Sequence, residues 1–337
     1  MSSKRFTFST DANRAGRKEA LLGNSVLTVT LNPSIDRTIA LSSLSVGEIN
    51  RAGSTTLHPG GKGINVSRAA RAFGSDTHAI FIGGTLGETW MSNELKKASI
   101  QHTVISHGDA IRSNMTIVEA DGTVTKVNEP GPTLGASDLE EIKLALDSLP
   151  LQNNWVVFAG RLNPGLSSSA YAELATFVKS RGAKVAVDTS GEEFAAAVKA
   201  ASVDLVKPNH HELSELVGRE LHTIEDVITA AREVIAGGVE TVLCSMGADG
   251  ALLITADGAT HCEPIEKVTG TPVGAGDILL GIFIAAGCDV PALQAAIAWS
   301  AASVPLPGTS IPSSAQAEAV SVRTREDFDR ARVLVEA

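Results

Sequence analysis

Three cysteines in 337 residues leave little from which to build covalent structure: Cys244, Cys262 and Cys288 are far apart, odd in number and without C-x-x-C spacing. That excludes a disulfide framework and a zinc knuckle, and it favours a reducing, cytoplasmic setting. Basic character is missing too. The net charge is −10 and no cationic run is interleaved with aromatics, so no nucleic-acid partner is expected. A membrane is not expected either, because the longest apolar run, residues 278–288, falls short of the roughly 20 residues that cross a bilayer. Residues 1–24 are polar, lack the apolar core of a secretory signal and read as a flexible extension. Two nucleotide-binding signatures are absent. No Gly-Lys-Ser/Thr ending makes a Walker loop, and no G-x-G-x-x-G with a downstream acid follows the first strand, which argues against a Rossmann dehydrogenase.

What is present is a 43% apolar composition, enough for a substantial core, arranged in alternation. Short β-branched runs at 26–31, 77–82, 155–159, 183–187, 203–206 and 241–245 read as strands. Helical patterns at 62–73, 88–98, 137–148, 167–181 and 223–236 lie between them, several opened by Ser or Thr and closed near Gly. This order predicts a mainly parallel α/β sheet covered on both faces, with ligands gathering beyond the carboxyl ends of its strands. Residues 37–57 and 112–127 break the rhythm, alternating like exposed strands. Paired into a small separate sheet over the strand ends, they would act as a lid and offer a dimer surface; surface hairpins without a role are the other reading. Asp257-Gly258 marks an ordinary hairpin between 252–255 and 259–262.

Several polar or Gly-rich stations fall at the expected strand ends. Gly274-Ala275-Gly276-Asp277 runs into an apolar helix, so its backbone N–H groups and the helix dipole suit a phosphate, with Asp277 as a base beside it; a plain loop with Asp277 as helix cap is the alternative. His58-Pro59-Gly60-Gly61-Lys62-Gly63-Ile64-Asn65 offers close backbone approach, one cation and one amide, or only a tight turn. Asp36 follows the first strand and is expected at its carboxyl end, free to accept from sugar hydroxyls or merely solvated. Lys207 is placed to meet nucleotide phosphates, and Asn209 with Glu212 to organise a hydrated Mg²⁺. The neighbouring His210 and His211 are expected on different helix faces, against a shared metal site. Ser245, Gly247 and Gly250 form a small-residue turn on which a nucleotide can rest. Arg112 and Asn114, in the second irregular segment, are poised to meet an anion from above, although a lone exposed Arg is often only a solvated charge.

Read in order, TLNPSIDRT, PGGKGINVSRAARAFG, RSNMTI, TKVNEPGP, AGRLNPG, VDTSG, VKPNHHEL, CSMGADGALL and PVGAGD make the chain resemble the PfkB-type sugar kinases of the ribokinase superfamily over about residues 27–309. NPSIDRT, TKVNEPGP and VDTSG look most like the 1-phosphofructokinase group of that family. The resemblance implies a ribokinase-like three-layer αβα sandwich, Rossmann-like and mainly parallel, with a small β-sheet lid that often serves in dimers, all within residues 25–337. It implies ATP and Mg²⁺, and phosphorylation of fructose 1-phosphate at O6. Fructose 6-phosphate and tagatose 6-phosphate are the alternative acceptors, and a non-catalytic sugar-phosphate sensor is a further reading.

Carried onto this chain, the resemblance makes Asp277 the base and the amides of Gly274, Ala275 and Gly276 an anion hole. Asp36, Gly60, Gly61, Lys62 and Asn65 would hold the sugar phosphate, Arg112 would contact phosphate from the lid, and Lys207 the nucleotide phosphates. Asn209 and Glu212 would serve the metal's water shell, while Ser245, Gly247 and Gly250 border the nucleotide. The chain departs from the family where Arg161-Leu162-Asn163-Pro164-Gly165 replaces Ser-x-Pro-Pro-Gly, which bears on substrate preference. It departs again at Pro272 and Ile278, which remove a hydroxyl on each flank of the Gly-rich turn.

Overall fold

The computed structural model describes residues 25–84 and 86–334; the extension expected over residues 1–24 lies outside the described residues. Its centre is a ten-stranded sheet built, numbering in chain order, from β1 (Val26–Thr30), β4 (Thr77–Gly84), β5 (Gln101–His107), β8 (Trp155–Ala159), β9 (Lys184–Asp188), β10 (Leu205–Val206), β11 (Thr241–Ser245), β12 (Ala251–Thr255), β13 (Ala259–Pro264) and β14 (Val322–Arg325). The spatial order is β14-β13-β12-β11-β10-β9-β8-β1-β4-β5. From β5 across to β11 every pairing is parallel, and from β11 out to β14 every pairing is antiparallel.

The parallel strands are apolar along their whole length because helices cover both faces. In β8, Val156 and Phe158 pack into one core while Trp155, Val157 and Ala159 pack into the other. The first core is closed by α3 (Ala136–Asp147), α4 (Ala170–Lys179), α5 (Gly191–Lys199), α6 (His210–Val217) and α7 (Ile224–Ala236); the second by α1 (Lys62–Phe73), α8 (Ala275–Ala285), α9 (Val290–Ser303) and α10 (Ser314–Glu318). A third cluster joins Ile64 of α1 to Met91 and Leu95 of α2 (Glu88–Lys97). Local signals set the ends. Thr223 caps α7 in a reciprocal pair with Asp226, and Asp289 caps α9 by accepting from the Ala292 N–H.

The irregular segments pair as a second, four-stranded sheet of β2 (Ser34–Leu41), β3 (Ser54–Gly60), β6 (Arg112–Glu119) and β7 (Val124–Asn128), in the order β3-β2-β6-β7. The first segment is longer at both ends than its alternation suggested, since β2 begins at Ser34 and β3 runs to Gly60, while the second ends one residue later, at Asn128. This corrects the placement of Asp36. The chain turns at Asn32-Pro33 directly into β2, so Asp36 lies inside the small sheet, opposite His58 and Asn114, rather than at the carboxyl end of β1. The expected strand at 203–206 shortens to two residues and the helix expected from 167 begins at Ala170. There Ser167 Oγ accepts from the Ser169 N–H, a local turn that competes with helix.

Candidate active site

Helix α8 starts at the expected Gly-rich turn. Gly274 holds φ 79°, a left-handed conformation that lets the chain turn into the helix. Of the three expected anion-hole amides, Ala275 N–H already donates to the Pro272 carbonyl at 3.2 Å, whereas those of Gly274 and Gly276 have no such bond among the described residues. Asp277 follows in the first turn, 7% exposed, and its Oδ2 accepts from Asn65 Nδ2 at 2.9 Å. Burial, reinforced by Asp188, lifts the carboxyl to about 6, against the opposing pull of Lys62, Asn65 and Lys207. The helix-cap alternative does not describe this residue, because the cap position belongs to Gly274.

A buried ionic cluster stands beside it. Asp188, the last residue of β9, meets Lys62 Nζ at 2.9 Å and Lys207 Nζ at 3.3 Å. Burial favours the acid form of Asp188, yet the two ammonium groups outweigh it and hold the carboxyl below its usual range. Burial likewise opposes the charge on Lys62, but Asp188, Asp277 and Glu212 raise it above the ordinary lysine value. Lys207 Nζ lies 3.3 Å from where a Cβ on Gly276 would stand, so a cation is held directly against the start of α8. The sequence reading gave Lys62 to the sugar and Lys207 to the nucleotide; it did not foresee that one carboxylate, in VDTSG, anchors both.

Helix α1 carries the residues expected on the sugar side. Gly61 at φ 105° and Gly63, whose added Cβ would lie 2.4 Å from Thr30 Oγ1, bring α1 hard against β1. Further along, a Cβ on Gly281 of α8 would meet the Val66 carbonyl at 2.6 Å, so α1 and α8 touch backbone to backbone beside the Asn65–Asp277 bond. Arg68 was missed by the sequence reading. From the next turn of α1 it donates to Asn65 Oδ1 at 3.1 Å, to the Pro59 carbonyl of β3 at 3.3 Å and to the Thr309 carbonyl at 3.0 Å. In the small sheet, Asp36 Oδ1 accepts from Ser34 Oγ at 2.7 Å and from Asn114 Nδ2 at 3.1 Å. Gly60 is required there, since its Cβ would fall 2.3 Å from the Asp36 carboxylate.

On the other side of Lys207, Asn209 Oδ1 accepts from the Glu212 N–H and Glu212 Oε2 from the Asn209 N–H, both at 2.8 Å. This reciprocal cap of α6 commits Asn209 Oδ1 and half of the Glu212 carboxylate; the other oxygen, Oε1, lies 4.0 Å from Lys62 Nζ. Ser245 ends β11 beside Asn209. Gly247 opens an exposed turn, whereas Gly250 is buried, its φ of 81° used to pass close to the Cys262 carbonyl. That turn is braced through Asp249, whose carboxylate pairs with Arg332. One expectation is corrected: the His210 and His211 rings do not diverge but lie 3.8 Å apart, centroid to centroid. Consecutive residues at a helix start can tilt their rings together, because His211 is exposed and free to fold over its buried neighbour.

Between the small sheet and the carboxyl ends of β8 and β9 opens a cavity of about 730 Å³, lined by Arg112 and Asn114 on one side and Arg161 and Asn163 on another. A model of the pfkB family of carbohydrate kinases matches residues 29–316. The chain belongs to that family. This pfkB kinase is 34% identical over 314 residues to the 1-phosphofructokinase of Haloferax volcanii, covering 89% of this chain and 100% of that protein. It is 32% identical to the 1-phosphofructokinase of Vibrio cholerae, covering 76% and 80%, and 34% identical to the ATP-dependent 6-phosphofructokinase isozyme 2 of Escherichia coli, covering 76% and 83%. Among solved structures, phosphofructokinase-2 from Escherichia coli in complex with potassium superposes with a TM-score of 0.83 at 28% identity, over 88% of this chain and 98% of that one. The Thermotoga maritima ribokinase superposes with a TM-score of 0.71 at 20% identity, over 88% and 98%, a likeness of fold alone. The pfkB kinase is therefore an ATP-dependent carbohydrate kinase with a ribokinase-like αβα fold and a second small sheet. No helix among the described residues is long and apolar enough to cross a membrane.

Proposed function

We propose that this kinase transfers the γ-phosphoryl group of MgATP to the O6 hydroxyl of fructose 1-phosphate, giving fructose 1,6-bisphosphate. The observation that carries the reading is Asp277: a buried carboxyl raised to about 6, oriented by Asn65 at the N-terminus of α8. A base of that strength is ionised at neutral pH and close enough to neutrality to take the O6 proton as the P–O bond forms. Positioning and charge stabilisation dominate in a loose phosphoryl-transfer transition state. Here the Lys207 ammonium stands against the start of α8, where the positive end of the helix and the N–H groups of Gly274 and Gly276 would add to it. Asp188 holds the Lys62 and Lys207 ammonium groups in place through its two ion pairs.

Mg²⁺, when bound with ATP, neutralises phosphate charge. No group of three or more His, Cys, Asp or Glu among the described residues is arranged to hold a metal, and Glu212 Oε1 is the carboxylate oxygen left outside the α6 cap. That donor set would suit a hydrated ion held mainly by the nucleotide, with Glu212 Oε1 and the Asn209 side chain meeting its water shell. Asp36, Asn114 and Gly60 would meet the sugar from the small sheet, which acts as a lid that excludes water. Leu57, Val124 and Val127 leave that sheet partly apolar and exposed, which supports a homodimer through it. The same reading makes the protein a cytoplasmic enzyme.

A kinase for fructose 6-phosphate or tagatose 6-phosphate, acting at O1, is the second reading, favoured by the 34% identity to the 6-phosphofructokinase isozyme. A coupled assay with MgATP against fructose 1-phosphate, fructose 6-phosphate, tagatose 6-phosphate and fructose decides between them. The highest kcat/KM is expected with fructose 1-phosphate; a higher value with either 6-phosphate overturns the first reading.

A further inference from the structure

The cavity beside Asp36 holds two guanidinium groups, and one of them has no structural task. Arg161 stands just past the carboxyl end of β8, exposed, and makes no hydrogen bond or ion pair among the described residues. Its side chain is unpartnered among the described residues, but its loop is tied down. Asn163, 3% exposed, donates to the Pro132 carbonyl at 3.0 Å, and the Leu134 N–H donates to the Pro164 carbonyl at 2.9 Å. Gly165 closes the loop so tightly that a Cβ there would lie 2.4 Å from the Leu134 oxygen. The loop is thus riveted to the segment following β7.

That same segment holds Arg112, which donates to the Glu129 carbonyl at 2.9 Å and leaves its Nε buried without a partner. Arg161 and Arg112 line one cavity; burial above all depresses the Arg112 pKa, Asp36 opposes the fall, the nearby Arg161 adds to it and Glu129 opposes it. Two like charges facing one space are unfavourable until an anion lies between them. Gly160, next to Arg161, lies against Lys62, since its Cβ would come 3.9 Å from that of Lys62; the pair therefore borders the site of phosphoryl transfer. The cavity also carries Glu129 beside Arg112, and Glu192, Glu193 and Glu215 further off; these carboxylates repel a phosphate, so the two arginines are its cationic seat.

We infer that Arg112 and Arg161 together grip the phosphate that the sugar already carries, and that Arg161 makes the enzyme demand a phosphorylated ketohexose over the free sugar. The inference rests on reading the cleft as a sugar-phosphate kinase site. Two planar forks match the oxygens of a dianion in a way that a lone fork cannot, and a hydroxyl in the same place offers them one neutral acceptor and no charge.

The test compares the full chain with its Arg161→Ala and Arg161→Lys variants. Steady-state kinetics use MgATP with fructose, fructose 1-phosphate, fructose 6-phosphate and tagatose 6-phosphate. Calorimetric titrations use the same sugars and inorganic phosphate without ATP. In R161A, KM for the preferred ketohexose phosphate should rise about 10- to 100-fold, with kcat falling less than about threefold and KM for MgATP held. The kcat/KM for fructose should not fall, and R161K should recover part of the loss. A KM for the sugar phosphate within twofold of wild type, or an equal loss with fructose, overturns the clamp while leaving the kinase reading intact. If the wild type turns over no ketohexose phosphate, the kinase reading fails and calorimetry alone judges the clamp. Sugar-phosphate or phosphate binding weakened at least tenfold in R161A sustains it, and equal or undetectable binding overturns it.

Discussion

The side-chain amide of Asn65 donates to the carboxylate of Asp277 at 2.9 Å across 212 positions of the chain. Its other end accepts from Arg68, which also grips the Pro59 and Thr309 carbonyls. The orientation of the Asp277 carboxylate, the proposed base, is thus set by a chain of contacts that runs from α8 through α1 to β3.

Loss of the base should show in kcat. Asp277→Asn is expected to lower kcat roughly 10²–10⁴-fold while the sugar phosphate still binds. In the wild type, log(kcat/KM) should fall with unit slope below about pH 6, because burial and Asp188 raise the Asp277 pKa to about 6. Near-normal turnover by the variant, or a profile flat down to pH 5, removes Asp277 from that role.

The same substitution should stabilise the fold. Below the unfolded value of 3.8 the wild-type carboxyl is protonated in both states; as pH rises through about 6 the buried group ionises at a cost the unfolded chain does not bear. The asparagine variant escapes that cost, so it should be more stable by up to about 3 kcal/mol at pH 8 and equal to wild type near pH 4. Denaturant unfolding at the two pH values measures this. A variant less stable at pH 8 would mean that the carboxylate is compensated in full.

Asp188→Asn leaves two ammonium groups facing each other without their carboxylate. With Lys207 only 4% exposed, a loss of about 3–5 kcal/mol is expected. Adding Lys207→Met should return part of it in thermal unfolding. A double variant no more stable than D188N contradicts the shared-anchor account.

Gly281→Ala separates two outcomes by sign. At an open helix position the change stabilises by about 0.5–1 kcal/mol. Here the new Cβ would press on the Val66 carbonyl at 2.6 Å and on Ala69 Cβ at 3.0 Å, so a loss of about 1–3 kcal/mol is expected instead. Since Val66 follows Asn65, kcat should fall about tenfold as the amide moves from the base. A more stable, fully active variant refutes this.

The parallel sheet and most of its helices were legible because strand runs and capped helical patterns alternate so regularly. The candidate site was legible in its local geometry where odd residues cluster, as in Gly274 to Gly276 with Asp277, which open α8 as the sequence suggested. Arg68 was not: in SRAARAF it looks no different from Arg71, and only the fold turns one inward to three carbonyl or amide oxygens and leaves the other beside Asp76 at 3.2 Å. Asp36 was misplaced because a strand's end and the start of another sheet are separated by only Asn32 and Pro33. Helix α9 escaped notice since its buried, alanine-rich sequence lacks the polar face that betrays a surface helix.

β3 runs without interruption through Gly60 and Gly61 into α1. The small sheet is therefore no independent flap on a hinge of its own: any swing of it tugs on Lys62 and Asn65, and through Asn65 on the base. Under the proposed lid role, an opening that admitted a sugar would also disturb the Asn65–Asp277 alignment, so no separate latch would be needed to keep water from taking the phosphoryl group.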